Sequence, residues 1–208
     1  MKTLAVVAQK GGCGKTTLSV HLAACAAKAG LAVALIDIDI QGNSLSWFKT
    51  RKKENELAAT KARAEELPEL LERLKKAKAD LVIIDTAPHS DFDAAAAVEL
   101  SDFVLIPCRP ARFDLEAMPS TVNIVRLTKK TPPHAILINA APQGNLALEA
   151  KAALEAQGFP VMEKPIFNRV AFNYAVTDGR SVQEYEPYGK AAREIESLYK
   201  EITNIMDI

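Results

Sequence analysis

Five short apolar runs, Leu4 to Ala8, Ala32 to Ile36, Leu81 to Ile84, Phe103 to Ile106 and Ala135 to Ile138, alternate with longer segments of helical pattern. Runs that are apolar throughout, rather than at every second residue, suit strands covered on both faces. Parallel strands joined by helices close up through right-handed crossovers, which lay helices on both sides of the sheet. The expected fold is therefore α/β, a mostly parallel twisted sheet flanked by helices. Two helices are legible in detail: Thr16 to Ala29, ended by Gly30, and Glu65 to Ala77, with Leu67, Leu70, Leu71 and Leu74 at helical spacing. With 208 residues, 49% of them hydrophobic, the chain can build one substantial core, and a second full domain would be cramped. The expectation is a single domain over residues 1–208.

The first strand-to-helix junction carries the chemistry. Lys10-Gly11-Gly12-Cys13-Gly14-Lys15-Thr16-Thr17 places three glycines where a backbone can turn its N–H groups around phosphates, and the next helix presents its positive end. Lys15 is then placed to reach the β- and γ-phosphates of ATP, and the Thr16 hydroxyl to ligate the Mg²⁺ that bridges them. The general phosphate-loop pattern has a glycine five residues before Gly14; this chain has Gln9 there, followed by the additional Lys10. Two acidic elements follow. Asp37 and Asp39, in Ile36-Asp37-Ile38-Asp39-Ile40-Gln41-Gly42-Asn43, are expected on one side at a strand's carboxyl end, where ligands of such sheets bind. Leu81-Val82-Ile83-Ile84-Asp85-Thr86-Ala87-Pro88 delivers one carboxylate from a buried strand, as needed to hold Mg²⁺ through its water shell.

In these motifs, and in Asp178-Gly179-Arg180-Ser181-Val182 near its end, the chain resembles the deviant Walker-A ATPases. That family includes partition proteins of the ParA type and the cell-division protein MinD, and the resemblance is closest to the short plasmid ParA subtype. It implies that ATP joins two subunits in a sandwich homodimer, with Lys10 reaching the partner's nucleotide. It further implies that Asp39 orients the attacking water, that Lys15, Thr16 and Asp85 sit at the phosphate and magnesium positions, and that Asp37 supports them. Asn139 matches a position that contacts adenine, with Pro165 and Ile166 flanking the base. Cys13 stands where relatives commonly have Val, Ser or Thr, and Ile40 where a proline is usual; neither change removes a functional group.

The remaining features bound the biology. Lysine plus arginine equals aspartate plus glutamate, 26 against 26, so an anionic partner has to meet a local patch. The resemblance implies nonspecific DNA binding and a cargo-bound, ParB-like partner that stimulates hydrolysis. Arg169, Arg180, Lys190, Arg193 and Lys200 are the basic candidates for DNA. Only nine residues precede Lys10, so no amino-terminal helix-turn-helix is expected. Cys13, Cys25 and Cys108 form no CxxC pair and fit a reducing cytoplasm, with Cys13 read as a small loop filler. His21, His89 and His134 are scattered and take no catalytic role. Trp47 and Phe48 are expected to be buried against the sheet, and the polar stretch Lys49 to Glu56 to be a solvated helix end. At the carboxyl end, Ile195, Leu198, Tyr199, Ile202, Ile205 and Met206 form an apolar stripe among acidic rather than basic neighbours, which suits packing on the domain rather than a membrane surface. Together these features point to a cytoplasmic, nucleoid-associated DNA-partition ATPase. A MinD-like or other cargo-positioning ATPase and a metabolic phosphate-loop enzyme are the alternatives.

Overall fold

The computed structural model describes residues 1–52 and 57–208. All five apolar runs are strands: β1 (Lys2–Val6), β2 (Val33–Asp37), β4 (Leu81–Asp85), β5 (Phe103–Cys108) and β6 (His134–Ile138). A sixth strand, β3 (Leu57–Lys61), is absent from the sequence reading because Leu-Ala-Ala-Thr-Lys is short, small and half polar. It pairs with β2 at the edge of the sheet, with no strand on its other side among the described residues. Every pairing is parallel, in the order β3-β2-β4-β1-β5-β6.

The helices follow in chain order. The first three are α1 (Lys15–Lys28), α2 (Asn43–Thr50) and α3 (Leu67–Lys76), the last preceded by a 3₁₀ turn at Ala64–Glu66 that takes up the start of the expected Glu65 helix. Next come α4 (Asp91–Glu99), α5 (Arg112–Leu115), α6 (Met118–Leu127) and α7 (Leu146–Ala156). The chain closes with α8 (Val170–Thr177), α9 (Val182–Tyr185) and α10 (Lys190–Met206). The helix α2 ends inside the charged Lys49 to Glu56 stretch, of which residues 53–56 lie outside the described residues.

Because successive strand residues point to opposite faces, the sheet divides the core in two. Leu4, Val6, Leu35, Ile83, Leu105 and Leu137 meet α1, α2, α8, α9 and α10. Ala5, Val7, Ile36, Ile84, Ile106 and Ile138 meet α3, α4, α6 and α7. Trp47 is buried as expected, its indole N–H donating to the Arg180 carbonyl at 3.2 Å, and Phe48 packs partly against the same core. Ile195, Leu198, Ile202 and Met206 pack inward from α10, whereas Ile205 stays exposed. This double-sided burial leaves the carboxyl edge of the sheet for function, and the chain departs from it into the loops after β1, β2, β4 and β5.

Candidate nucleotide site

Between β1 and α1 the backbone makes the turn that its glycines permit. Gly12 and Gly14 have φ of +72° and +93°, values disfavoured for residues with a Cβ. Gly14 also sits against the Asn139 side chain, whose Nδ2 would lie 2.3 Å from any Cβ added there. Lys15 opens α1 and is 6% exposed. Its ammonium donates to the Ala8 carbonyl at 3.2 Å and the Lys10 carbonyl at 3.5 Å, so it lies within the loop that would surround phosphates. Lys10 turns the other way: its Nζ donates to the Phe113 carbonyl at 2.7 Å and lies 6.0 Å from the centre of the Phe113 ring. Cys13 is buried, donates its Sγ–H to the Lys10 carbonyl at 3.2 Å, and has its pKa raised by burial despite Lys15 nearby. That is the environment of a filler, not of an activated thiol.

The acidic residues meet through sheet register. Asp37 and Asp85 end β2 and β4 and are direct partners in that ladder, although 48 residues separate them. Asp37 is spent on backbone: Oδ1 accepts from the Asp39 N–H and Oδ2 from the Leu45 N–H, both at 3.0 Å, which fixes the loop and the first turn of α2. Asp39 lies in that loop beyond the strand, 7% exposed, with Oδ1 accepting from the Gln41 N–H at 2.9 Å. Asp85 is fully buried; Ser19 Oγ donates to its Oδ1 at 3.2 Å, while Oδ2 has no hydrogen-bond partner among the described residues. Burial, with Asp37 adding to it and the Thr16 hydroxyl partly offsetting it, pushes the Asp85 pKa up to about 7. An unpartnered buried carboxylate oxygen beside a Thr hydroxyl suits a hydrated Mg²⁺, which would satisfy the oxygen and favour the charged form. Thr16 and Asp85 would hold that ion, with Asp37 supporting the loop around it.

The side of the site where the resemblance puts the purine is built across the sheet. Asn139 follows β6, its N–H donating to the Cys108 carbonyl at 2.8 Å and its Nδ2 to the Cys13 carbonyl at 2.6 Å. The chain from Pro160 runs parallel beside β6, and the Ile166 N–H donates to the Ile138 carbonyl at 2.9 Å. A cavity of about 150 Å³ opens there, lined by Gly12, Gly14, Thr17, Asn139, Ile166 and Phe167 among others. Thus Asn139 and Ile166 converge with the glycine loop, whereas Pro165 faces the next groove.

A family model described as the CobQ/CobB/MinD/ParA nucleotide binding domain matches residues 4–182. The chain belongs to this family. Two curated relatives are named Maintenance of carboxysome distribution protein A. The protein from Gloeobacter kilaueensis is 35% identical, covering 99% of this chain and 94% of the relative. That from Halothiobacillus neapolitanus is 31% identical, covering 96% and 95%. The solved septum site-determining protein MinD of Pyrococcus horikoshii, complexed with Mg-ADP, superposes with a TM-score of 0.82 at 17% identity, over 97% of this chain and 95% of that one. The deviant Walker-A resemblance and the parallel-sheet architecture thus hold, and the site belongs to a nucleotide-binding fold of the MinD/ParA kind.

On this MinD/ParA-type domain the five basic candidates do not form one cluster. Arg169, Lys190 and Arg193 line a single groove of about 370 Å³ with Lys164, Pro165 and Phe167. Arg169 is held there by Glu194, its Nε 2.9 Å from Oε1, and by the Phe167 ring 5.5 Å away. Arg180 lies elsewhere, paired with Asp178 and stacked on Tyr185 at 4.8 Å. Lys200 stands ten residues along α10 from Lys190, roughly 15 Å at 1.5 Å per residue. Phe167 and Arg169 border the cavity beside Asn139, Phe113 engages Lys10, and Arg109 pairs with Asp114 next to it; sequence reasoning missed all of these placements. No motif marks them, since Arg109, Phe113 and Asp114 are brought in by the segment after β5 and Phe167 and Arg169 by the segment after β6. Among the described residues no three His, Cys, Asp or Glu side chains form a metal-binding group, and no helix is long and apolar enough to cross a membrane.

Proposed function

We propose that the protein is an ATP hydrolase that cycles between a monomer and an ATP-bound homodimer, and so positions or segregates a cargo along DNA. The observation that carries this reading is the division of the two loop lysines: Lys15 lies inside its own phosphate loop, while Lys10 projects onto the outer face. A lysine side chain turned away from its own phosphate loop supports a role at a nucleotide held by a second copy. In the proposed cycle Gly11, Gly12, Cys13 and Gly14 give backbone N–H groups to the phosphates, and Thr17, Asn139 and Ile166 receive the purine. Mg²⁺, held through Thr16 and Asp85, would neutralise charge on the β- and γ-phosphates. Asp39 orients a water, which attacks the γ-phosphorus as the bond to ADP breaks. Lys15 in cis and the partner subunit's copy of Lys10 stabilise the charge on the transferring group. Hydrolysis then separates the subunits.

The relatives support a choice of cargo. Two relatives matched over more than nine-tenths of their length and named for carboxysome distribution favour a carboxysome-like cargo, engaged through a stimulating partner protein. Partition of a plasmid or chromosome through a ParB-like partner uses the same cycle and is the second reading, supported by the ParA part of the family description. In both, the ATP-bound dimer holds nonspecific DNA, with Arg169, Lys190 and Arg193 as its first contacts, in a cytoplasmic, nucleoid-associated setting. The test is binding to random-sequence duplex DNA with ATP, with ADP and without nucleotide, at several salt concentrations. ATP-dependent binding that falls steeply with salt and is lost in Lys10→Ala is expected. Salt-insensitive binding, or none with dimerisation intact, would refute the DNA-tethered cycle.

A further inference from the structure

We propose that Phe113 holds Lys10 on its own protomer, and that this contact opposes ATP-dependent dimerisation. The inference rests on Lys10 being the residue that crosses to the partner's nucleotide, and it identifies what that lysine must leave behind. Two parts of Phe113 engage the ammonium: the carbonyl at 2.7 Å and the ring at 6.0 Å, the outer range of a cation–π contact. The carbonyl belongs to a helix of four residues, too short to satisfy its own acceptors, so a cation there is favourable. The platform is fixed. Arg109 grips Asp114 with two hydrogen bonds, Nε to Oδ1 at 3.0 Å and Nη2 to Oδ2 at 3.3 Å, and the Asp114 side chain is 7% exposed. Phe113 itself is 72% exposed, so its ring is not held in place by the core.

One lysine cannot occupy both places. Crossing to a partner's nucleotide releases both Phe113 contacts, and their free energy is subtracted from that of the dimer. Phe92 in the first turn of α4 and Ile40 on the loop after β2, 64% and 87% exposed, suggest the competing account that Phe113 is simply apolar surface buried between two copies. The two accounts differ in sign. Phe113→Leu keeps apolar bulk and removes the aromatic face. A holding contact predicts that the variant dimerises more tightly with Mg·ATP, whereas a plain apolar contact predicts no change or weaker association.

The dimerisation constant is measured by sedimentation velocity with Mg·ATP for the natural chain, Phe113→Leu, Lys10→Ala and the double variant. The expected result is an approximately two- to fivefold tighter dimer for Phe113→Leu, and no effect of that substitution once Lys10 is gone. Equal shifts with and without Lys10, or a weaker Phe113→Leu dimer, would overturn the proposal. If Lys10→Ala dimerises as well as the natural chain, the crossing role of Lys10 fails instead. A second readout needs no dimer: without nucleotide, acetylation of Lys10 by an N-hydroxysuccinimide ester, followed by mass spectrometry against exposed Lys190, should rise about two- to fivefold in Phe113→Leu. Unchanged labelling would mean that Phe113 does not hold Lys10.

Discussion

Replacing Asp85 with Asn should stabilise the protein in the absence of nucleotide while removing its response to Mg·ATP. Asp85 is fully buried, one of its carboxylate oxygens has no hydrogen-bond partner among the described residues, and its pKa is raised from 3.8 to about 7. A raised carboxyl pKa means that the folded protein holds a proton that the unfolded chain has already released between about pH 4 and pH 7. Stability from this group is therefore greatest below pH 4, falls through that window, and is lowest above pH 7. At about 1.4 kcal/mol per pKa unit the cost reaches roughly 4 kcal/mol at pH 8 and roughly 1–2 kcal/mol at pH 5. Asn keeps an acceptor for the Ser19 hydroxyl and carries no charge, so it removes this cost. Urea unfolding followed by circular dichroism, at both pH values and with or without Mg·ATP, is the assay. The variant is expected to be more stable than the natural chain at pH 8, by a margin that narrows at pH 5, and to gain little from Mg·ATP. Equal or lower stability at pH 8, or a gap that does not narrow on acidification, would refute the argument that an incompletely compensated charge is stored at this position.

Three further perturbations follow from the geometry. Arg51→Ala should cost about 2–3 kcal/mol in urea unfolding, because it removes the nearly inaccessible ion pair, 2.7 Å between Arg51 and Glu184, that ties the end of α2 to α9; a loss below about 1 kcal/mol would show that this pair is not structural. Gly14→Ala places a Cβ at φ +93° and 2.3 Å from Asn139, so it should lower stability by at least about 1–2 kcal/mol and weaken binding of a fluorescent ATP analogue; wild-type affinity would mean that Asn139 can leave the loop freely. Asp39→Ala should accumulate the ATP-bound dimer, since water is no longer oriented for attack, and light scattering that finds only monomer at saturating ATP would remove Asp39 from that role.

Much of the fold was legible because its strands are buried on both faces and so are apolar at every position, a pattern that needs no partner to be recognised. The strand β3 escaped because Ala58, Ala59, Thr60 and Lys61 lie at the sheet edge, where a strand can be short and partly polar. Helix ends were less legible: the turn at Ala64–Glu66 becomes 3₁₀ before Pro68 allows α3 to run. In the site, Asp37 read as a supporting carboxylate, and its two backbone acceptor contacts explain that support. The burial that raises the Asp85 pKa is a property of the assembled layers, not of the Leu-Val-Ile-Ile-Asp motif itself.

The sequence by itself determined the phosphate loop, because Lys10 to Thr17 is a local device: glycine freedom, a strand before and a helix after all act within about ten residues. Tertiary structure alone decided what surrounds it. Asp37 meets Asp85 through the register of β2 on β4, Asn139 reaches Cys13 across 126 positions, and Lys10 finds Phe113 across 103. Such pairs depend on the order in which strands assemble, and that order is set by burial of the whole sheet between two helical layers rather than by any residue's near neighbours.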